Sequence, residues 1–386
     1  MSRLSPAPDF MADEECSIFD TAVDRFFADT LTSEARNHWN EQGAVDRDAW
    51  FKAGEAGLLC PSIPAEYGGA GGDFRHDAII IRHLLLYGGD GWGVPLHNGI
   101  VAPYILHYGT EAQKQLWLPR LATGELIGAI AMTEPGAGSD LQGVRTRAIK
   151  VDGGYRVSGS KTFITNGQLA NLIIVVGKTD PSAGSRGVSL LVVETEGADG
   201  FRRGRNLDKI GMEFSDTSEL FFEDVLVPDS HLLGEVEGKG FAQLMQQLPQ
   251  ERLLIALECV ALMERALNET IAYVRARRAF GKTLLEFQNT QFKLAEAKTE
   301  ATIAQVFADH CVGLLLNGKL DAASASMAKL WTSEAAQRVV DECLQLHGGY
   351  GYMSEYPIAQ MFKDVRVKRI YGGTSEIMKL LIARSL

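Results

Sequence analysis

The hydrophobic period of this chain changes twice, and that change limits the folds open to it. From about Glu14 to Gly128 apolar residues recur at three-to-four spacing, as in Ile18, Phe19, Ala22, Val23, Phe26 and Phe27, the mark of helices with one buried face. Gly- and Pro-rich breaks at Pro61 to Gly72 and Gly88 to Pro95 interrupt that stretch. From about Ala129 to Val236 the period shortens. Tyr155-Arg-Val-Ser alternates after an Asp152-Gly153-Gly154 turn. Leu172-Ile-Ile-Val-Val, Val188-Ser-Leu-Leu-Val-Val and Glu219-Leu-Phe-Phe-Glu-Asp-Val-Leu-Val, closed by Pro228, read as buried strands. From Gly240 long helices rich in Ala, Leu, Glu and Lys return. The expected fold is α+β, mainly α, in three parts: an N-terminal helical domain (1–128), a central β-domain (129–236) and a C-terminal helical bundle (237–386). A chain of 386 residues is too long for one ordinary core.

This order differs from that of a nicotinamide dehydrogenase, in which strands and helices alternate and a Gly-x-Gly-x-x-Gly turn follows the first strand. Neither that motif nor a Gly-Lys-Ser/Thr phosphate loop occurs. The net charge of −11 argues against non-specific nucleic-acid binding. Five cysteines without Cys-x-x-Cys spacing predict reduced thiols and no disulfide frame or zinc site. The eight histidines show no ligand spacing, so no metal is expected. The acidic first twenty residues match neither a secretory signal nor an Arg-rich transit peptide. No apolar run is long enough to span a bilayer. A cytoplasmic location is therefore expected, with a processed organellar protein as the alternative.

Three motifs could carry chemistry. In Thr133-Glu-Pro-Gly-Ala-Gly-Ser-Asp140, backbone N–H groups can converge on an anion, with the Thr133 and Ser139 hydroxyls as further donors; a plain surface turn is the competing reading. Lys161-Thr-Phe-Ile-Thr-Asn-Gly167 offers Phe163 for stacking and Thr165 for a hydrogen bond to a flat ring system, or else a strand end closed by an Asn-Gly turn. Arg275-Ala-Arg-Arg-Ala-Phe-Gly-Lys282 offers a phosphate site, or simply the basic end that a helix dipole favours.

Taken in this order, with Pro64-Ala-Glu-Tyr-Gly-Gly-Ala-Gly-Gly72, Leu248-Pro-Gln-Glu-Arg-Leu253, Gln345-Leu-His-Gly-Gly-Tyr-Gly-Tyr352 and Tyr371-Gly-Gly-Thr-Ser-Glu-Ile-Met378, the chain resembles the acyl-CoA dehydrogenase family, and within it the long-chain branch. The resemblance covers essentially the whole chain. It implies helical, β-sandwich or barrel-like, and four-helix-bundle domains, with FAD between the β-domain and the bundle. It also implies a homotetramer whose subunits share each FAD site. The cofactor residues it implies are Met132, Thr133, Ser139, Phe163 and Thr165, with Arg277, Phe280, Gln288, Gln345, Gly348 and Gly349 reaching across the subunit boundary. Thr374 and Glu376 lie in the C-terminal segment near the cofactor. Ser139, Arg252, Gly372 and Gly373 fall on the substrate side.

The implied reaction is α,β-dehydrogenation of an acyl-CoA thioester to the trans-2-enoyl-CoA. A base removes the α-proton, the β-hydrogen leaves as hydride to flavin N5, and an electron-transferring flavoprotein takes the electrons. Many short- and medium-chain relatives carry the base where this chain has Gly372. Long-chain and isovaleryl members place it at the position of Glu251, the base expected here, with Glu376 its rival. The competing reading of Glu251 is a surface acid in the first helical turn after Pro249. Glycine at 372 is expected to leave room for the Glu251 carboxylate. Gly88, Gly89, Gly91 and Gly93 are expected to leave a roomy pocket for a long or branched acyl chain. Gly68 to Gly72 is read as a mobile loop, and Trp92, Trp117 and Trp331 as core or interface residues. A flavin oxidase or monooxygenase on the same fold, and a non-catalytic acyl-CoA-binding scaffold, stand as alternatives.

Overall fold

The computed structural model describes residues 3–386. In the first part, α1 (Glu14–Thr30), α2 (Ser33–Gln42), α3 (Arg47–Glu55) and α4 (Phe74–Leu86) are followed by a short α5 (Val94–Leu96). A π turn (His97–Val101) joins α5 to α6 (Ala102–Tyr108), and α7 (Glu111–Ala122) ends this part. Local chemistry marks the helix starts. The Asp13 carboxylate accepts from the Cys16 amide at 2.8 Å, and Thr110 and Gln113 form a reciprocal capping box on α7. The residues of α1 turned inward are Cys16, Val23 and Phe27.

The middle part is a seven-stranded sheet of β1 (Gly128–Ala131), β2 (Arg147–Val151), β3 (Gly154–Ile164), β4 (Leu172–Lys178), β5 (Val188–Glu194), β6 (Phe201–Asn206) and β7 (Ser218–Pro228). Its order is β1-β4-β2-β3-β7-β6, with β5 paired to β4. β1 runs parallel to β4, while β3–β7 and β4–β5 are antiparallel. Every position from Leu172 to Gly177 and from Val188 to Val193 is buried and apolar or small, which explains the unbroken runs in the sequence. The β3–β7 ladder shifts register between Lys161 and Ile164, and Phe163 sits in that irregularity.

The last part is built on α8 (Gly240–Ala276), α9 (Gln288–Leu316) and α10 (Ala322–His347), with α11 (Pro357–Val365) and α12 (Ser375–Ala383) packed against them. At 1.5 Å per residue α8 is roughly 55 Å long. It also meets α4 and β5, so one helix touches all three parts. Its starting point corrects one expectation. Pro249 does not open a helix but lies inside α8, nine residues after its start. Glu251 is thus a mid-helix residue, at the start of a stretch buried from Glu251 to Leu257.

Two glycine-rich segments also differ from expectation. The loop at 68–72 is packed: the Gly69 and Gly71 amides donate to Pro64 O and Ile63 O, and a Cβ on Gly69 would come within 2.2 Å of Ile63 O. The turn at 88–93 leaves no pocket either. A Cβ on Gly88, Gly89, Gly91 or Gly93 would lie within 2.8 Å of Arg265, Leu84, Phe214 or Asn166 respectively. Those glycines allow close packing between parts. Trp92 and Trp117 are buried as expected of core residues, and Trp331 is exposed on α10 in the single chain. All five cysteines are free and buried.

Candidate active site

Glu251 is 5% exposed, and the Tyr104 hydroxyl donates to its Oε1 at 2.9 Å. Burial pushes the carboxyl up to about 7, against the lowering pull of the Tyr104 hydrogen bond and of Arg252. Nothing local in the sequence signals Tyr104, which stands 147 residues away on α6. The fold joins them because α6 packs against α8.

The same face of α8 carries Ile255 and Glu258, one and two turns further on. Ile255 fills the space beside Gly372: a Cβ there would come within 2.3 Å of Ile255 Cδ1. The room expected for the Glu251 carboxylate is therefore taken by a methyl group of the next turn. Gly372 also has φ +62°, a left-handed conformation that glycine adopts freely. Buried charge holds its neighbours on both sides. Lys329 Nζ donates to Gly373 O at 2.6 Å, and Tyr371 Oη donates to Glu258 Oε2 at 2.9 Å, where Lys368 Nζ also bonds at 2.8 Å. Burial lowers the Lys329 ammonium to about 8. Lys329, Glu258 and Lys368 are further residues that sequence reading missed.

Arg252 is buried and turned toward α10, with Nη1 3.5 Å from Ser326 Oγ. Its Nε has no hydrogen-bond partner among the described residues. Glu376 stands in the first turn of α12, exposed to water. Its own backbone amide and Thr374 hold its carboxyl below the usual range. Thr374 caps that helix, its hydroxyl accepting from the Ile377 amide at 3.4 Å.

The first two motifs come together through a buried ion pair. Lys161 Nζ meets Glu134 Oε1 at 2.9 Å and also donates to Met132 O and Val176 O. Glu134 accepts further from the amides of Arg145 and Thr146 and from the Thr146 hydroxyl. Burial raises the Glu134 carboxyl, but Lys161 and these donors bring it below its ordinary value; burial lowers Lys161 to about 8. Both therefore stay charged at neutral pH. The Thr162 amide donates to Thr133 O at 3.0 Å, closing the loop onto β3. Met132, Thr133, Phe163 and Thr165 thus share one end of the sheet, with Ser139 exposed on the adjoining loop. Phe163 is 68% exposed at φ +59°, an apolar ring held outward by an unfavourable backbone.

The third motif forms a separate place. Arg277, Gln345, Gly348 and Gly349 line a cavity of about 550 Å³ together with Tyr273 and Tyr350. The Arg277 guanidinium lies over the Tyr350 ring at 5.3 Å. His347 stacks on Tyr273 at 4.3 Å, and its ring N–H at Nδ1 donates to Cys343 O; burial lowers its basicity. No metal-ligating cluster occurs among the described residues. Phe280 is 95% exposed, edge-on to Phe287, and Gln288 starts α9 beside it. No hydrogen bond, ion pair or ring contact joins this group to the sheet group among the described residues.

Both places fit a large planar, anionic cofactor. Open space surrounds the backbone at Gly136, Gly138, Gly348 and Gly349, where a Cβ would meet nothing within 4 Å. Amides in such loops can face phosphate oxygens. Phe163 and Phe280 stand uncovered, ready to meet a ring.

The acyl-CoA dehydrogenase N-terminal, middle and C-terminal domain families match residues 13–125, 129–225 and 238–386. The chain is 50% identical over 374 residues to the mitochondrial long-chain specific acyl-CoA dehydrogenase of Rattus norvegicus, covering 96% of this chain and 86% of that protein. A crystal structure of an acyl-CoA dehydrogenase from Geobacillus kaustophilus superposes with a TM-score of 0.94 at 48% identity, covering 97% of this chain and 98% of the other. A glutaryl-CoA dehydrogenase from Mycobacterium smegmatis, solved with FADH2, superposes at 0.90 with 29% identity, covering 98% and 95%. The chain belongs to the acyl-CoA dehydrogenase family of FAD-dependent oxidoreductases.

Proposed function

We propose that this protein desaturates a long or branched acyl-CoA between its α and β carbons, with Glu251 as the base. The observation that carries the reading is the Glu251 carboxylate, buried in the α8 wall and bonded at one oxygen by Tyr104, whose proton affinity lies near neutrality. A base works best when its pKa is close to the working pH. Glu376 is disfavoured because it stands in water with a lowered proton affinity.

Glu251 takes the α-proton of the thioester, and the Gly372 amide steadies negative charge on the thioester oxygen. FAD, when bound, supplies the two-electron acceptor for the β-hydrogen. Met132, Thr133, Ser139, Phe163 and Thr165 would hold the flavin side. Arg277, Phe280, Gln288, Gln345, Gly348 and Gly349 would serve a neighbouring subunit's FAD in a homotetramer, with Thr374 and Glu376 close by. Ser139, Arg252 and Gly373 would lie on the substrate side. Electrons would pass on to an electron-transferring flavoprotein. Domain limits at 128/129 and 236/237 complete the proposal. No helix among the described residues is long and apolar enough to cross a membrane. Cytoplasmic placement is proposed, and fractionation decides between it and the organelle that the rat relative's name indicates.

Anaerobic titration with acyl-CoAs of graded length, following flavin absorbance, tests the reaction and ranks substrates together. Bleaching strongest with long or branched chains is expected. A sharp optimum at butanoyl-CoA would reject the chain-length proposal, and no bleaching by any acyl-CoA would reject dehydrogenation.

The acid limb of kcat/KM offers a second check. The base must be ionised, so activity rises with pH through about 7, where the Glu251 carboxyl loses its proton. An acid limb below pH 5, typical of an exposed carboxylate, would point away from Glu251.

Gly372→Ala is expected to cost about tenfold in kcat/KM while flavin content is kept. The left-handed φ strains alanine by roughly 1–2 kcal/mol, and Ile255 Cδ1 must swing aside on the face that bears Glu251.

A further inference from the structure

We propose that Tyr104 is the positioning residue for Glu251, fixing the carboxylate through Oε1 so that Oε2 is the atom that receives the proton. This rests on the reading of Glu251 as base. The geometry is asymmetric. Oε1 accepts from Tyr104 Oη at 2.9 Å, while Oε2 has no hydrogen bond among the described residues. The side chain as a whole is buried, with 5% of its surface exposed. One oxygen is tied and the other is available.

Tyr104 suits the task because it cannot easily do anything else. It is fully buried, and its hydroxyl is held protonated, chiefly by burial and then by the Glu251 charge. It is therefore a permanent donor. The titratable or charged groups facing Glu251 are few: Tyr104 and Tyr108 from α6, and Arg252 from its own helix. Tyr108 is turned away, its hydroxyl donating to Gln243 O at 3.2 Å. Its ring stands 5.8 Å from that of Tyr104 and walls it in place. Arg252 points across to Ser326 on α10. That leaves Tyr104 as the only one of the three with a hydrogen bond to the carboxylate.

A donor fixed to one oxygen has two effects. It restricts rotation about the last side-chain bond, aligning the free oxygen with the α-carbon. It also favours the ionised form, opposing the burial that raises the carboxyl. Removing the hydroxyl should therefore make Glu251 harder to ionise and less well aimed, without touching the thioester or cofactor sites.

The test is Tyr104→Phe in the flavin-loaded protein, a change that keeps the ring and its packing. Expected results are an acid limb of kcat/KM moved up by about one pH unit, kcat lowered roughly tenfold at pH 8, KM within twofold and unchanged flavin content. A second readout needs no turnover. The melting-temperature difference between Glu251 and Glu251→Gln proteins, followed against pH, reports the proton affinity of Glu251. That difference should keep growing to a higher pH in the Tyr104→Phe background. If neither the acid limb nor this pH dependence moves, Tyr104 does not position the carboxylate. If Glu251→Gln alone keeps full activity while the melting curves still shift with Tyr104→Phe, the base assignment fails, and Tyr104 with it as a catalytic aid. If both the limb and the melting curves shift, the proposal stands.

Discussion

Glu251→Gln is expected to lower kcat by about 10³- to 10⁴-fold, the upper part of what a positioned base contributes, and to melt higher than the parent at pH 8. The amide keeps the shape of the side chain and a carbonyl that can accept from Tyr104, so flavin content should not change. The stability gain follows from linkage. The folded carboxyl ionises near 7, above its unfolded value of about 4.5, so the native state holds more protons between those values. Stability contributed by this group is present below the unfolded value and declines as pH rises to about 7. At pH 8 the native protein carries a buried charge that glutamine lacks. Relief of roughly 1–3 kcal/mol is expected, a few degrees in a chain of this size. A pH series of melting curves beside single-turnover rates measures both. At pH 4 the melting difference should vanish; a constant difference across the range would mean that packing causes the gain.

The second large effect is expected at Lys161→Met. Lys161 is the charged link that holds the 133–140 loop on β3, beside the hydrogen bond from the Thr162 amide to Thr133 O. Removing its charge leaves Glu134 buried opposite a methyl group and takes a donor from Met132 O and Val176 O. Breaking one partner of a buried pair costs about 3–5 kcal/mol. The donors from Arg145 and Thr146 remain on Glu134, so the lower end of that range is expected. Purified protein should carry much less flavin than wild type and should regain part of it in excess FAD. Full flavin occupancy together with a normal melting point would show that the loop does not depend on this pair.

The parts of the fold that the sequence disclosed are those in which burial repeats along the chain. β4 and β5 are apolar throughout because both their faces are covered, and β7 and β3 alternate around Tyr155 and Val157. β6, Phe-Arg-Arg-Gly-Arg-Asn, gave no such sign. It lies at the sheet edge, where charged side chains satisfy solvent and discourage further pairing. β2 is short, with Arg147, Ile149 and Lys150 outward. Pro249 misled because a proline inside a helix costs a hydrogen bond, yet packing along both sides of α8 sustains the helix through it. In the site, the glycines and Glu251 were legible as motifs. Their supports were not. Tyr104, Lys329 and the pairing of Glu134 with Lys161 are set by distant segments, and nothing in a local pattern encodes them.

The length of α8 has a consequence for how damage spreads. Glu251 and Arg277 are 26 residues apart, from within an unbroken helix to its C-terminal cap, and at helical rise that is roughly 39 Å. In the proposed assembly the near end serves the chain's own cleft and the far end serves its neighbour's. Each copy of the helix is then held in common by two active sites. A lesion that bends or shifts it is charged to both, so inheritance of a defect would follow the pairing of subunits rather than the count of mutant chains.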